Sequence, residues 1–335
     1  MDASVGPADE FLDKQRRELM EQLADVIGKS RMTSAAWVCL WFANIEMLQS
    51  LIPRVIEDEA FRRVFKSMLR SPDISDMLRD WCARPKKKPK DAGSQSDLED
   101  NQISDQDSND ETPSGKRKAR TMGKYTARKK SARNLSKTEQ EEFWEILSIF
   151  WTSEKTDSWK AEILGPQGTE HCANLMCFSN IAHKLWEKAR FALCPRQLSD
   201  DLTTLTVKFL WLPTMDYLKS QSITRAPSPI APDLISSTKD GIPFAKLFKL
   251  ATEEKIPSGD ILTFHTTDPV KLPLPSVKLL QLQWTLHRVL AMSGAADASD
   301  EDLDPDFHRP AGAGLCWRNE VEEEDDVEEE GEEEE

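Results

Sequence analysis

The sequence predicts a mixed α+β fold, and three features of its 335 residues lead to this prediction. Apolar residues recur at helical spacing through residues 1–82, which predicts an N-terminal helical bundle. Strand-like and helical segments occur together in residues 138–296, which predicts a second folded domain. Residues 83–137 between them are polar and basic, with few large apolar side chains, which predicts a disordered linker. The acidic tail, 297–335, is also expected to be disordered.

Apolar residues at steps of seven, four, three and one define the first predicted helix, which ends at Gly28. The members of this apolar stripe are Leu12, Leu19, Leu23, Val26 and Ile27. The next segment is apolar on nearly all sides and predicts one central helix with the sequence SAAWVCLWFANIEMLQSLI. Its large aromatic residues are expected to pack in the core: Trp37, Trp41 and Phe42.

Two prolines are predicted to begin the remaining helices of the bundle, because Pro is favoured in the first helical turn. Pro53 would begin a helix that continues to Arg70. Pro72 would begin a short helix that continues to Trp81. The N-terminal bundle is therefore expected to contain four helices.

The second predicted domain contains two helices at its ends and two strands between them. The first helix contains EEFWEILSIFW, whose apolar residues on one face are Phe143, Leu147 and Phe150. Strands are predicted at 202–212 and 261–265, and a last helix contains SVKLLQLQWTLHRVL. The Pro- and Ser-rich segment 220–240 between the strands is expected to be a mobile loop.

The distribution of charge is uneven along the chain. The net charge is −15, and the tail alone carries 19 acidic and 2 basic residues. Residues 1–296 are therefore close to neutral. The tail would compete with nucleic acid for the basic linker or bind basic proteins such as histones; a tail that only increases solubility is the alternative.

A run of nine basic residues and no acidic residue lies between Lys116 and Arg133. Such a run suits attraction to nucleic-acid phosphates, and it also suits a nuclear-import signal. The residues expected to contact nucleic acid are Lys116, Arg117, Lys118, Arg120, Arg128, Lys129 and Lys130. A solvated linker is the alternative for one such run. A second basic cluster at 86–90 favours a nuclear protein, with a cytoplasmic one as the alternative.

The six cysteines include no Cys-x-x-Cys pair, which is typical of a reducing compartment and argues against a zinc site built from cysteines. No secretory signal is apparent at the N-terminus. The most apolar segment, 35–52, is too short and too polar for a membrane span. We therefore expect an intracellular protein that does not enter a membrane.

One pair of residues suggests chemistry. Asn174 is followed nine positions later by His183, and Ser179 is expected to cap a helix that carries His183 in its first turn. This is the arrangement of the second half of a His-Asn-His (HNH) nuclease motif. In such a site the metal ion holds the scissile phosphate, and a neutral imidazole deprotonates water. A histidine that only packs against its neighbours is the alternative interpretation.

Two segments resemble a family of filamentous-fungal proteins with an HNH nuclease domain. The first segment contains FWEILSIFWTSEKTDSWKAEILGPQGTEHCANLMCFSNIAHKLWEKARFALC, and the second contains SGDILTFHTTDPVKLPLPSVKLLQLQWTLHRVL. Together the two segments cover about 138–296. The resemblance implies a partial ββα-metal fold, a nucleic-acid phosphodiester as substrate and a divalent metal such as Mg²⁺. By position it implies that His183 is a catalytic metal ligand. It also implies that Asn174 orients the general base.

The chain departs from the family pattern upstream of these residues. No histidine precedes His171, so the hairpin that would deliver the general base has no candidate. Ser179 and Ala182 stand where zinc-supported relatives have paired cysteines, so no structural zinc is implied. A hairpin encoded in the gene but missing from this translation would also explain the departure.

Three functions remain open at this stage. The first is a degenerate HNH protein that does not cleave and keeps nucleic-acid or protein binding. The second is an active endonuclease that recruits another group, for which the candidates are Glu170, His171, His265 and Asp268. The third is a nuclear interaction protein that acts through its basic linker and acidic tail.

Overall fold

The computed structural model describes residues 8–28, 31–82, 137–165 and 171–298. Helix and sheet occur together in these ranges, which confirms the α+β prediction. The helices are α1 (Lys14–Ile27), α2 (Ser34–Phe42), α3 (Ile45–Glu57), α4 (Glu59–Arg70), α5 (Asp73–Cys82), α6 (Lys137–Phe150), α7 (Ser153–Leu164), α8 (Asn180–Glu187) and α9 (Val277–Ser293). The strands are β1 (Arg31–Met32), β2 (Phe191–Leu198), β3 (Thr204–Trp211), β4 (Gln221–Ser222) and β5 (Ile261–His265). Short 3₁₀ helices lie at Asp9–Leu12, Cys172–Asn174 and Ala295–Asp297.

Several predicted elements are confirmed. Helix α1 ends at Gly28, whose φ of +72° is a conformation that glycine adopts at little cost. The apolar face predicted for α6 is buried at Phe143, Leu147 and Phe150. Strand β5 has the predicted bounds, and α5 begins at the residue after Pro72. Leu12, by contrast, is exposed and lies outside α1.

The prediction of one central helix is wrong, because the segment forms α2 and α3 with a bend of 116° between them. The backbone N–H of Asn44 at the bend donates to the carbonyl of Phe150, 2.9 Å away, so the end of α6 stabilises the break. Thr33 caps α2 by accepting a hydrogen bond from the N–H of Ala36. No single helix in the described ranges meets the length and hydropathy expected of a membrane span; α2 and α3 meet them only together.

The prediction that Pro53 begins a helix is also wrong. Pro53 lies inside α3, and the next helix begins after Asp58, whose carboxylate accepts from the N–H of Phe61 at 2.9 Å. Pro53 is exposed, so the carbonyl that it leaves without a helical donor can be hydrated. The start of α4 is therefore set by its capping aspartate.

The larger of two hydrophobic cores contains side chains from both predicted domains. Its N-terminal members come chiefly from α1 to α5, and its other members come chiefly from α6, α7 and α9. The hydroxyl of Ser34 donates to the carbonyl of Ser293 at 2.6 Å, which fastens the start of α2 to the end of α9. Residues 8–82 and 137–298 thus pack against each other. The linker 83–137 and the tail lie almost wholly outside the described residues, and the predicted domain boundaries stay predictions.

A buried arginine lies at this junction. The side chain of Arg288 is 6% exposed, and its guanidinium lies over the rings of Phe42 and Trp284, 4.3 and 4.2 Å from their centroids. It donates to the carboxylate of Glu10 at 2.7 Å. The carboxylate and the two ring faces compensate the loss of hydration that burial of this charge requires.

A three-stranded antiparallel sheet in the order β2-β3-β5 forms the rest of the fold. Its register pairs Leu193 with Phe209 and Val207 with Leu262, so these apolar side chains share one face. That face packs against Leu185 and other residues to form the smaller core. The opposite face is polar around Thr204, Thr206 and Lys208, although Ile261 is exposed beside Lys208. Ala192 and Leu210, at the far end of this face, are buried.

Helix α9 lies beside β2 and contributes to both cores. His287 on α9 is buried, and its Nδ1 lies 3.1 Å from the carbonyl oxygen of Phe191, to which it donates. Its ring also packs at 4.4 Å from the ring of Trp186. Burial lowers the pKa of His287 from its usual 6.5 to about 4. His287 is therefore a neutral structural contact between α9, α8 and the sheet.

The segment predicted as a mobile loop, 220–240, packs in part against the N-terminal helices. It contains β4, which pairs with β1, and two of its apolar residues are buried. The indole N–H of Trp37 donates to the carbonyl of Arg225 at 2.8 Å, and that of Trp41 donates to the carbonyl of Ile223 at 3.3 Å. These contacts confirm the core position predicted for the two tryptophans.

The first prediction concerns two glycines with similar backbone conformations. Gly294 at the end of α9 has φ of +73°, and an added Cβ would overlap the backbone of Met215, Asp216 and Tyr217. Gly241 has φ of +77° and open space around it. We expect Gly294→Ala to lower the free energy of unfolding by about 3–5 kcal/mol and Gly241→Ala by only about 1 kcal/mol. Equal losses of unfolding free energy for the two variants in denaturant titrations would show that the close backbone approach at Gly294 does not contribute to stability.

The second prediction concerns pH. In the unfolded chain His287 binds a proton below about pH 6.5, whereas in the folded chain it binds one only below about pH 4. The stabilisation is therefore complete above pH 6.5 and is lost as the pH falls from 6.5 to 4, by about 3 kcal/mol. His287→Asn keeps an amide donor but does not titrate, so the free energy of unfolding should fall less steeply in this range. An unchanged slope for His287→Asn would contradict the assignment.

Candidate functional site

Asn174 lies in the 3₁₀ turn Cys172–Asn174, which is anchored to the start of α9. Its backbone N–H donates to the carbonyl of His171 at 3.0 Å. The carbonyl of Ala173 accepts from the N–H of Ser276 at 2.8 Å, and the Ser276 hydroxyl donates to Glu162 on α7 at 2.7 Å. The turn is thereby fixed on α7 and α9, while the side chain of Asn174 is half-buried.

His183 lies on α8, and the predicted cap of this helix is confirmed. The hydroxyl of Ser179 accepts from the N–H of Ala182 at 3.2 Å, and the carbonyl of Ser179 accepts from the N–H of His183 at 2.8 Å. The imidazole Nδ1 of His183 lies 3.4 Å from a carboxylate oxygen of Glu187, one turn later on the same helix. Glu187 is thus a close neighbour of the imidazole that the sequence analysis did not identify.

The donor set around His183 does not fit a catalytic divalent metal within the described ranges. No group of three or more His, Cys, Asp or Glu side chains there is arranged to hold an ion. Mg²⁺ prefers several oxygen ligands, whereas His183 and Glu187 supply one nitrogen and one carboxylate that already face each other. We therefore derive no metal-dependent step at His183.

Other groups that an active endonuclease would recruit lie on β5, in the turn that follows it, and outside the described residues. The Nδ1 of His265 on β5 lies 3.1 Å from the hydroxyl of Thr204. A carboxylate oxygen of Asp268 accepts from the backbone N–H groups of Val270 and Lys271, which makes it part of a turn. Glu170 lies outside the described residues.

The order of elements also differs from that of a ββα-metal motif in the described ranges. The hairpin formed by β2 and β3 follows α8 instead of preceding it. Residues 83–136, which precede α6, lie outside the described ranges. The HNH-like fold predicted from the resemblance therefore stays a prediction.

The polar face of the sheet is a surface that sequence reasoning missed. The register aligns Thr206 with Gln197 on one side and with Thr263 on the other. It aligns Thr204 with His265. None of these five residues is buried, and the three strands contain no Asp or Glu. We call this surface, together with Lys208 on β3 and Arg196 on β2, the polar sheet face.

Basic residues gather at the end of the polar sheet face that is nearest α9. Lys208 pairs with Cys194 across the sheet, and Arg196 hydrogen-bonds the Cys194 thiol. Burial raises the pKa of Cys194, while the charges of Arg288, Arg196 and Lys208 oppose that shift. Burial and the charge of Arg288 lower the pKa of Lys155 on α7 to about 8. The two charged side chains that the strands contribute to this face, Arg196 and Lys208, are therefore both cationic.

The seven basic residues predicted to contact nucleic acid lie outside the described residues: Lys116, Arg117, Lys118, Arg120, Arg128, Lys129 and Lys130. The structure thus places three candidates on described elements: the His183–Glu187 pair on α8, Asn174 in the 3₁₀ turn, and the polar sheet face. The polar sheet face could be recognised only from the register of the strands, which the sequence alone does not give.

Comparisons of the chain with protein-family models, with curated proteins and with solved structures each found no match.

The third prediction tests the cap that positions His183. Ser179→Ala removes the hydroxyl that satisfies the N–H of Ala182, so the free energy of unfolding should fall by about 1 kcal/mol. Ser50→Ala removes an exposed hydroxyl inside α3 that bonds only to the carbonyl of Met47, and it should have little effect. Denaturant titration measures both variants. Equal effects of the two would contradict a capping role for Ser179.

Proposed function

We propose that this chain is a nucleic-acid-binding protein on an HNH-like scaffold that does not cleave its ligand. The observation that carries the proposal is the polar sheet face, where two strands contribute Arg196 and Lys208 and no strand contributes a carboxylate. Hydroxyl, amide and cationic groups are the donors that contact phosphate and sugar oxygens in nucleic-acid complexes. The run of nine basic residues at 116–133 supplies further positive charge along the same chain.

The basic run and the polar sheet face would act together. A basic segment gathers nucleic acid by releasing counterions from phosphates, with little dependence on base sequence. The polar sheet face offers a fixed surface against which a bound strand is positioned. The two basic clusters at 86–90 and 116–120 support a nuclear location for this activity.

The geometry at His183 supports binding without hydrolysis. The imidazole lies beside the carboxylate of Glu187, and within the described ranges no group of three or more His, Cys, Asp or Glu side chains could hold the metal that an HNH reaction needs. Neither Asn174 nor His183 is given a catalytic step by this proposal. An active endonuclease is the competing function, and the experiment below separates the two.

The fourth prediction concerns salt-dependent binding by the full-length chain. A fluorescent single-stranded oligonucleotide should bind with an affinity that falls steeply as salt rises, because each phosphate contact contributes about −0.7 to the logarithmic slope. Replacing Arg196 and Lys208 by Gln should reduce the magnitude of this slope by about 1 to 2. Replacing Lys14 and Arg63 by Gln removes the same two charge types from exposed positions on α1 and α4. This control should leave the slope unchanged.

Three outcomes would contradict the proposal. Absent or salt-insensitive binding would remove nucleic acid as the ligand and favour an interaction protein that works through its acidic tail. Nicking of plasmid DNA in Mg²⁺ or Mn²⁺ that His183→Ala abolishes would establish an active nuclease. If replacing Arg196 and Lys208 by Gln leaves the salt dependence unchanged, the basic run alone determines the slope, and the sheet face is not part of the binding surface.

A further inference from the structure

An apolar cleft with a volume of about 820 Å³ opens on the side of the sheet opposite the polar sheet face. Its floor is the apolar side of the strands, including Phe191, Phe209 and Phe264. One wall is the segment that begins α8, and the other is the turn 247–256. The cleft is therefore bounded on three sides by described elements.

The lining of this cleft is chiefly aromatic and aliphatic, and its charges are confined to the turn. The ammonium of Lys249 lies 2.9 Å from Asp260 and 3.9 Å from Glu254, which neutralise it. Glu253, the other charged lining residue, is exposed near the tip of the turn. The hydroxyl of Ser179 is engaged as the cap of α8. An ionic ligand would therefore lose its hydration in the cleft without gaining an unengaged countercharge at Lys249.

The turn holds apolar side chains at the mouth of the cleft in exposed positions. Phe248 is 57% exposed and Leu250 is 98% exposed. Backbone hydrogen bonds close the turn: Lys249 N–H to Glu254 at 2.9 Å and Ile256 N–H to Leu247 at 2.8 Å. Because the backbone of the turn is fixed in this way, the two side chains remain beside the mouth. A ligand seated in the cleft would cover part of their apolar surface.

We propose that this cleft binds one uncharged, apolar small molecule. Its volume lies within the range of about 300–1,000 Å³ that is typical of small-molecule sites, and its lining matches theirs. Water in an apolar cavity finds few hydrogen-bonding partners, so an apolar guest displaces it readily. The site is separate from the polar sheet face, and it does not depend on the proposed nucleic-acid function.

Two probes with the same aromatic skeleton test the predicted ligand class on the full-length chain. N-phenyl-1-naphthylamine is uncharged, and 8-anilinonaphthalene-1-sulfonate is its sulfonated counterpart. The uncharged probe should bind more tightly and saturate at one molecule per chain. Its emission should rise as the emission of nearby tryptophan falls, because Trp186 packs 5.3 Å from Phe178, which lines the cleft. Tighter binding of the sulfonate would overturn the proposal.

Variants locate the bound probe. Ala182→Trp places an indole in the cleft from α8 and should abolish saturable binding. Ala161→Trp is the matched control at an exposed helical alanine on α7, and it should bind as wild type does. Phe248→Ser changes an exposed side chain at the mouth, so the fold should persist, and the affinity should fall about tenfold.

Two outcomes would overturn the proposal, and a third would separate it from the proposed nucleic-acid function. Binding that neither Ala182→Trp nor Phe248→Ser weakens would place the probe elsewhere and overturn the proposal. Displacement of the probe by the oligonucleotide would also overturn it, because the cleft would then belong to the nucleic-acid surface. If the oligonucleotide fails to bind while the probe binds as expected, the cleft stands and the proposed nucleic-acid function falls.

Discussion

The burial of α9 between two cores is the constraint on which the other elements depend. Leu282, Leu286 and Val289 are fully buried in the larger core, whereas Leu280 belongs to the smaller one. A helix buried on most sides cannot expose one face to water without losing the contacts on which both cores rely. Arg288 would be costly in such a helix, and its position is stabilised by the carboxylate of Glu10 and two aromatic rings. Glu10 and Phe42, both in the N-terminal segment, thereby contact α9 through this charged group.

The candidate surfaces are positioned by the same helix. The start of α9 holds the turn that carries Asn174, through the bond between Ser276 and Ala173. Farther along, His287 bonds to the first residue of β2 and packs on Trp186 of α8. These contacts hold the apolar side of the sheet against α8. The polar sheet face and the apolar cleft are thus the two sides of one sheet, which explains why their proposed ligands differ in charge.

Elements with a clear period were predictable from the sequence. The apolar stripe of α6, the end of α1 at Gly28 and the strand at 261–265 were predicted and are confirmed. The break between α2 and α3 was not, because every residue of α2 is buried and its sequence carries no period to interrupt. Strand β2 was missed because its sequence, FALCPRQL, begins with three consecutive buried residues and contains a proline beside a bulge. The shared core could not be predicted, since a polar segment of more than fifty residues separates its two halves in sequence.

The candidate site, like the fold, could be predicted from the sequence only in part. The cap at Ser179 and the helix that carries His183 follow from local sequence, and both are confirmed. The pairing of His183 with Glu187 was also within reach, because residues four apart face each other on a helix. The polar sheet face required the register of three strands that are distant in sequence. The cleft required, in addition, the turn at 247–256, whose exposed apolar residues carry no signal of what they border.

Native-state hydrogen exchange tests most directly whether one cooperative unit surrounds α9. The slowest amides of α2, in the N-terminal segment, and those of β3, in the sheet, report on the two halves of the structure separately. If α9 joins them as described, both sets of amides should exchange with the same free energy and respond equally to denaturant. A sheet whose amides stay protected while those of α2 exchange through an independent, lower-energy opening would contradict this account.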